Sequence, residues 1–321
     1  MIKLKEIDSS NLLIQKIRKN IKNLILSFFQ IKSGFWENGK RGALDNFINE
    51  KNKWSIERYK KDIKKNLRST NSSLSDYDDY LLLCQLASKN EKVFSKFKSC
   101  REYQDILEHV TYEQGMQYLE LLEKDYGKID QVTLDVIKQN IGKPPRFTYK
   151  KYGKMSPTSL RYGRVTKQLT ELFGNLDNFV ISEIGVGYGG QASQICLKFN
   201  IQKYNIYDLN PVIALADKYI NKTCKNAVIE SPESNLEIYS DLLISNYAFS
   251  ELKREIQDRY IRNVISKSKR GFMIYNSISP KEWNSYSAIE FSKLIPNSQI
   301  IEEIPLTYPG NVIVIWGHNS N

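Results

Sequence analysis

Short apolar runs alternate with amphipathic segments through the second half of the chain. The runs predict seven strands, over residues 179–184, 204–207, 227–230, 241–245, 271–276, 300–304 and 311–316. Apolar positions at three- and four-residue spacing predict the helices between them, over residues 191–199, 212–220, 251–266 and 282–293. This alternation is typical of an α/β fold with a doubly wound, mainly parallel seven-stranded sheet. The last two strands flank a short Pro-Gly turn and are expected to pair antiparallel.

The first half of the chain has helical spacing instead. Apolar residues recur every three or four positions over residues 12–28, 80–86 and 116–122. Five Gly and Pro residues then cluster between positions 142 and 157, and we expect no helix to run through them. We therefore predict a mostly helical N-terminal domain over residues 1–150 and an α/β domain over residues 151–321, which a helix over residues 159–173 opens.

The positive charge is concentrated near the N-terminus. The formal net charge is +11, and residues 1–70 contain 17 Lys and Arg against 7 Asp and Glu, whereas the other 251 residues contain 30 against 29. The basic segment also carries the amphipathic stretch over residues 12–28. We interpret it either as an ordinary solvated helical face or as an arm that contacts an anionic membrane or glycan. Nucleic acid is not expected as a partner.

The overall composition is that of a globular protein, with 41% hydrophobic and 26% charged residues. No apolar run approaches the roughly 18 residues of a membrane span, and the N-terminus has no signal-peptide pattern. We therefore expect a cytoplasmic protein whose basic segment is the candidate for contact with the inner face of the membrane. The four cysteines form no C-x-x-C pair and the two histidines are too few for a His-rich metal site, so neither a disulfide framework nor structural zinc is expected.

The sharpest local signal is a glycine-rich turn, I-S-E-I-G-V-G-Y-G-G-Q at residues 181–191. It follows a predicted strand and opens a predicted helix, which is the context in which such a turn binds a nucleotide. Glycines at 185, 187 and 189 let the backbone approach a ligand closely. The same residues also match the dinucleotide fingerprint, so the glycines alone do not separate the two kinds of cofactor.

Two carboxylates help to distinguish between these two kinds of cofactor. Glu183 lies two residues before the first glycine, where it can hold a cationic ammonium group but would repel a pyrophosphate; the alternative is that it caps the amides of the turn. Asp208 ends the next predicted strand, where it can accept both hydroxyls of a ribose. Its alternative role is to cap the helix that opens near Pro211, although Asn210 is the better candidate for that cap.

With these residues the chain resembles the class I S-adenosylmethionine-dependent methyltransferases, and more narrowly a family of sugar O-methyltransferases. The resemblance covers residues 155–318, about half the chain. It rests on five segments: S-P-T-S-L-R-Y-G at 156–163, the glycine turn, Y-D-L-N-P at 207–211, D-L-L-I-S-N-Y-A-F-S-E at 241–251 and P-G-N-V-I-V-I-W-G at 309–317, together with Gln257 and Tyr260.

The resemblance implies a Rossmann-like methyltransferase sheet that binds S-adenosylmethionine across its C-terminal edge. The expected cofactor-binding residues are Glu183, Gly185, Gly187, Tyr188, Gly189, Gln191, Asp208 and Asn246. The implied acceptors are sugar hydroxyls, often within surface polysaccharides, lipopolysaccharides or their nucleotide-linked precursors.

Methyl transfer to a sugar hydroxyl benefits from a general base or from a metal that acidifies the hydroxyl. Glu251 is the first candidate for the base, although a Glu in a first helical turn also commonly serves the helix dipole. Asn246 and Tyr247, which end the fourth predicted strand, are candidates to contact the cofactor or acceptor. His109 is an alternative base that is also well explained as a surface residue. No acidic cluster indicates a metal, and dependence on a divalent metal stays open.

Arg161 and Tyr162 precede the first strand of the sheet. Arginine suits a phosphate or carboxylate, and tyrosine suits stacking on a base or sugar, but an ordinary surface pair explains them equally well. Two other functions also stay open. A nicotinamide-linked oxidoreductase shares the glycine fingerprint but lacks a Tyr-x-x-x-Lys pair here, and a non-catalytic module could retain the nucleotide-binding sheet.

Overall fold

The computed structural model describes residues 72–76, 78–104, 106–224 and 227–318. These residues belong to one compact unit, Gly42–Asn321. The basic segment over residues 1–70 lies outside the described residues, so its predicted contact with a membrane or glycan stays a prediction. In the described part of the chain, no helix has both the length and the apolar character needed to cross a bilayer.

Among the described residues, five α-helices precede the first strand. They are α1 (Asp78–Lys89), α2 (Glu91–Phe94), α3 (Arg101–Gln104), α4 (Tyr112–Tyr126) and α5 (Gln131–Ile137). Helices α1 and α4 confirm the predicted helical stretches over 80–86 and 116–122. Helix α4 begins with a capping box, in which the Thr111 hydroxyl accepts from the backbone N–H of Gln114 and the Gln114 side chain accepts from the backbone N–H of Thr111.

A small hairpin follows that the sequence did not predict. Strands β1 (Phe147–Tyr149) and β2 (Gly153–Met155) pair antiparallel. Three-residue strands are too short to give an alternating pattern, which explains why they were missed. Helix α6 (Pro157–Phe173) then begins with proline in its first turn, a position where the missing N–H costs no hydrogen bond.

The sheet confirms the predicted α/β architecture. Its strands are β3 (Val180–Ile184), β4 (Lys203–Tyr207), β5 (Ile229–Glu230), β6 (Ser240–Asn246), β7 (Ser268–Tyr275), β8 (Gln299–Glu302) and β9 (Val312–Trp316). The spatial order is β5-β4-β3-β6-β7-β9-β8. Strands β3 to β7 are parallel, whereas β9 pairs antiparallel with both β7 and β8, as predicted for the closing pair.

Helices cover both faces of this sheet. They are α7 (Gly190–Lys198), α8 (Asn210–Thr223), α9 (Arg254–Asn263) and α10 (Ala288–Leu294). On one face Ile181 and Ile244 pack in a core with Leu169 of α6, Ile195 of α7 and Ile220 of α8. On the other face a second core includes Phe291 of α10 and Trp316 of β9. The fold is therefore a three-layer sandwich, as the alternation of elements predicts.

The predicted continuous helix over residues 251–266 is wrong. The chain forms a 3₁₀ helix over Ala248–Glu251, then α9, then a second 3₁₀ helix over Ile265–Lys267. Leu252 is extended and forms an antiparallel bridge with Ser73, so the α-helix begins only at Arg254. Glu251 consequently ends a 3₁₀ helix and does not lie in the first turn of an α-helix.

The helical segment before the sheet packs directly on the α/β part. Helix α1 lies against α8, and α4 lies against α6. Leu83 of α1 shares one apolar core with Val212 and Leu215 of α8. The domain boundary near residue 150 stays a prediction, but the described residues on its two sides form a common core.

Candidate active site

The glycine turn lies at the carboxyl end of β3, against two other segments. Gly185, Gly187 and Gly189 have φ angles of 79°, 55° and 83°, in the left-handed region that favours glycine. A Cβ atom on Gly185 would collide with the Cβ of Ala248, and one on Gly187 would lie 2.9 Å from Cδ1 of Leu107. The turn therefore needs glycine both for its backbone conformation and for these close approaches.

Glu183 is a buried carboxylate at the glycine turn. It is 1% exposed, and the Tyr204 hydroxyl donates a 2.8 Å hydrogen bond to its Oε2 atom. Burial raises the pKa of Glu183 to about 8, although the Tyr204 hydrogen bond opposes the rise. Among the described residues no Lys or Arg forms a salt bridge with it. A carboxyl group with a raised pKa is expected to lose its proton when a cation binds beside it.

Asp208 accepts a hydrogen bond from the backbone of the glycine turn. This capping role was the alternative that the sequence left open for Glu183. The Asp208 Oδ2 atom accepts a 3.0 Å hydrogen bond from the backbone N–H of Gly187, and its Oδ1 atom accepts a 2.8 Å bond from Leu209 N–H. Burial raises the pKa of Asp208 to about 6, and these two bonds oppose the rise. Because β3 and β4 are parallel neighbours, Glu183 near the end of β3 and Asp208 just after β4 lie at the same edge of the sheet.

The end of β6 adds two predicted residues. Asn246 closes the strand, and its buried Oδ1 atom has no hydrogen-bond partner among the described residues. Tyr247 follows with a φ of 70°, which is uncommon for a non-glycine residue and marks a constrained position. Its hydroxyl contacts the carboxylate of Glu303, a buried acid that also accepts from Thr307 and Asn311.

Glu251 lies at the same edge, held by the end of β7. The side-chain amide of Asn276 donates a 2.6 Å hydrogen bond to Oε1 of Glu251, and the Ser250 hydroxyl donates to Oδ1 of Asn276 at 3.0 Å. Burial raises the pKa of Glu251 to about 7, against the effect of the Asn276 bond. A carboxylate with a pKa close to neutrality suits a general base.

Three other predicted residues lie elsewhere. The Tyr188 ring is buried against Tyr219 of α8, with a centroid distance of 4.8 Å. The Gln191 side chain donates to the Thr166 hydroxyl of α6 at 2.8 Å. Both side chains are thus engaged by neighbouring helices, and their roles in cofactor binding stay predictions. His109 is exposed beside the buried Glu108, and its role as a base is likewise still a prediction.

A segment in which the sequence pointed only to His109 packs on the turn. This cap segment, residues 96–104 and 106–110, places Leu107 against Gly187 and buries Lys98 at 1% exposure. The Lys98 ammonium lies 3.5 Å from the centre of the Tyr188 ring and 3.9 Å from Oε1 of Glu108. Burial lowers the pKa of Lys98 to about 7, and the charge of Glu108 opposes that shift. Nothing in the local pattern around these residues marks them as buried.

In the described part of the chain, no group of three or more His, Cys, Asp or Glu side chains is arranged to hold a metal ion. Three carboxylates do lie at this edge of the sheet, but each accepts hydrogen bonds from different groups. Glu183 and Asp208 flank the glycine turn, while Glu251 is held by Asn276. The arrangement suits an organic ligand with a cation and hydroxyls.

No family model and no curated protein match the chain. Solved structures do match. A SAM-dependent methyltransferase from Aquifex aeolicus is 17% identical, with a TM-score of 0.37, over 47% of this chain and 87% of that chain. The magnesium protoporphyrin IX methyltransferase of Synechocystis PCC 6803, with bound SAH, is 12% identical, with a TM-score of 0.38, over 48% and 80%. Mitomycin 7-O-methyltransferase is 12% identical, with a TM-score of 0.36, over 67% and 69%.

Proposed function

We propose that the chain transfers a methyl group from S-adenosylmethionine to a hydroxyl group, with a sugar of a surface glycan or its precursor as the acceptor. The observation that carries the proposal is the pair of carboxylates around the glycine turn. Glu183 lies near the end of β3 and Asp208 follows β4, its parallel neighbour, and burial raises the pKa of each carboxyl group. A ligand with an ammonium group at one end and a ribose at the other would satisfy both.

Several features favour this cofactor over a dinucleotide. A pyrophosphate would add negative charge beside Glu183, which is already costly to ionise. The dinucleotide fold has the strand order 3-2-1-4-5-6, in which the strands follow chain order on each side of the first strand. In this sheet the last strand, β9, is instead inserted antiparallel between β7 and β8. Either cofactor would bind at the carboxyl edge between β3 and β6, where the strand order reverses, because ligands of open α/β sheets bind at this point.

The residues present fit the chemistry that the proposal needs. S-adenosylmethionine, when bound, supplies the electrophilic methyl group. Asn246 has a buried Oδ1 atom that can accept a hydrogen bond from the cofactor or from the acceptor hydroxyl. Glu251 can accept the hydroxyl proton, because its pKa of about 7 leaves a large fraction ionised at neutral pH.

Equilibrium binding separates the candidate functions. Calorimetry should show binding of S-adenosylmethionine to the purified chain and no binding of NAD under the same conditions. The E183Q variant should bind S-adenosylmethionine more weakly, whereas E255Q, a change at an exposed position of α9, should bind like wild type. Tight binding of NAD alone would favour an oxidoreductase, and binding of neither would favour a non-catalytic module.

Mass spectrometry of surface glycans tests the acceptor. Glycans from cells that contain the chain should carry a methyl mass increment on one sugar that is missing from cells without it. Restoring the E251Q variant should fail to restore the increment, while restoring wild type should succeed. If the chain binds the cofactor but the glycans are unchanged, the proposal of a sugar acceptor is wrong and the proposal of the cofactor stands.

A further inference from the structure

Arg161 is a buried guanidinium that forms no salt bridge with any of the described residues. It is 6% exposed, and its Nε atom has no hydrogen-bond partner among the described residues. Within that part of the chain, no carboxylate lies inside the 4.0 Å limit for a salt bridge to it. Arg164, one turn later in α6, behaves differently, because it pairs with Asp125 at 3.0 Å and with Glu171 at 3.2 Å. Burial alone therefore does not explain why Arg161 is unpaired.

The charge of Arg161 cannot be removed by losing a proton. Arginine stays protonated in proteins, so the guanidinium remains a buried cation. The rings of Tyr162 and Tyr247 lie 5.4 and 5.6 Å from its central carbon, a range in which aromatic faces attract cations. Rings offset only part of the cost of burying a charge, and an anion would offset far more.

The nearby acid Glu108 already has another partner. It lies 3.9 Å from Lys98. Burial raises the pKa of Glu108, and the charges of Lys98 and Arg161 both oppose that rise, although no salt bridge joins Glu108 to Arg161. Glu108 therefore acts on Arg161 through its charge and not through a salt bridge, and the Nε–H group of Arg161 has no acceptor among the described residues.

The guanidinium lies at the ligand-binding edge of the sheet. Tyr247 follows directly after β6, and the Tyr162 ring approaches Gly190, the first residue of α7, so closely that a Cβ there would lie 2.6 Å from it. Burial raises the pKa of Tyr162 to about 12, while Arg161 lowers it and Glu183 raises it. Arg161 and Glu183 thus act on the same hydroxyl, one as a cation and one as an anion.

A buried cation and a buried anion near one glycine turn fit a zwitterion. An amino-acid group presents an ammonium and a carboxylate a few ångströms apart, as the methionine end of S-adenosylmethionine does. We propose that Arg161 binds the carboxylate of this amino-acid group while Glu183 binds its ammonium. This inference rests on the proposed function and makes Arg161 a determinant of which sulfonium nucleosides the site accepts.

The decarboxylated form of S-adenosylmethionine isolates this contact, because it keeps the ammonium, the sulfonium and the nucleoside. Calorimetry of both compounds should show that wild type prefers S-adenosylmethionine by roughly 10- to 100-fold, the value expected for hydrogen bonds to a charged group. In R161Q the preference should fall close to one, and in R161K it should fall by less. R164Q is the matched control from the same helix and should keep the wild-type preference.

The ratio of the two affinities distinguishes a direct contact from a structural effect. If R161Q and R161K weaken both compounds equally, so that the ratio stays at the wild-type value, Arg161 does not touch the carboxylate and the inference is overturned. Should R161Q fail to fold in thermal unfolding, the ratio in R161K decides. If wild type binds neither compound, the proposed function fails first, a result distinct from failure of the Arg161 contact alone.

Discussion

The Oδ2 atom of Asp208 accepts a 3.0 Å hydrogen bond from the backbone N–H of Gly187. This single contact joins the end of β4 to the turn that follows β3. The second oxygen, Oδ1, accepts from Leu209 N–H at 2.8 Å. A carboxylate oxygen has more than one acceptor site, so Asp208 can keep these backbone bonds and still accept bonds from ribose hydroxyls.

Removing this carboxylate should weaken cofactor binding. We expect D208A to bind S-adenosylmethionine more weakly by roughly 1–3 kcal/mol, because charge-assisted hydrogen bonds to the ribose are lost and the turn loses its tether. Calorimetry measures the change. The control is D217A on the exposed side of α8, which should bind like wild type. Wild-type affinity in D208A would remove Asp208 from the site.

The raised pKa of Glu183 predicts a specific pH dependence of stability. Its pKa is about 8 in the folded chain, against about 4.3 for an unperturbed glutamate. The folded state therefore holds the proton over this window, and its stability falls as pH rises from about 4.5 to 8. E183Q should remove this part of the loss. Its melting temperature should be close to that of wild type at pH 5 and higher at pH 8.5.

The free folded chain favours the protonated form of Glu183. Binding of the cofactor should favour the ionised form, because the carboxylate is then paired with an ammonium. At pH 7 the complex should release protons relative to the free chain, and E183Q should release fewer. Calorimetry in buffers of different ionisation enthalpy measures the number of protons. The same proton release in both proteins would mean that Glu183 stays protonated in the complex.

Sequence patterns predicted the framework of this site well. The seven strands and the antiparallel closing pair follow from short apolar runs, because a strand buried on both faces needs them. That framework places Glu183 and Asp208 at one edge without any knowledge of tertiary contacts. The burial of Lys98 and Arg161 was not predictable, since both are residue types normally found at the surface.

The missed features share one physical cause. Helical periodicity shows which face of a segment is apolar, but not which distant segment packs on it. Leu107 against Gly187, and Leu252 beside Ser73, are contacts between segments far apart in the chain. The second contact also explains why the helix predicted from residue 251 begins only at Arg254.

The contact between Leu107 and Gly187 is predicted to fix the cap segment on the turn. G187A should destabilise the chain for two reasons: the left-handed backbone, which costs alanine roughly 1–2 kcal/mol, and the approach of its Cβ to Leu107. G153A is the matched control, because Gly153 has a φ of 83° with nothing within 4 Å of its Cβ position. Denaturant unfolding of both variants should show the larger loss in G187A.

Shortening the opposing side chain should recover the steric part of that loss. In the background of L107A, the further change G187A should cost about as much as G153A costs in wild type. A cycle of the four proteins isolates the interaction between the two positions. If G187A costs the same with and without Leu107, the cap segment yields easily and does not constrain the turn.

Glu251 should set the pH dependence of methyl transfer. A general base works in its ionised form, so the rate should rise with pH through about 7 and then level off. E251Q should reduce the rate by roughly 10²- to 10⁴-fold while leaving cofactor affinity unchanged. N276A removes a hydrogen bond that favours the ionised form, so its rate profile should move to higher pH.

Transfer of labelled methyl groups into glycans from cells without the chain measures these rates. E255Q, in the first turn of α9, tests the effect of losing a helix-dipole carboxylate and should retain full activity. A normal rate in E251Q, or a profile that N276A does not move, would assign Glu251 to structure and shift the search for the base to His109.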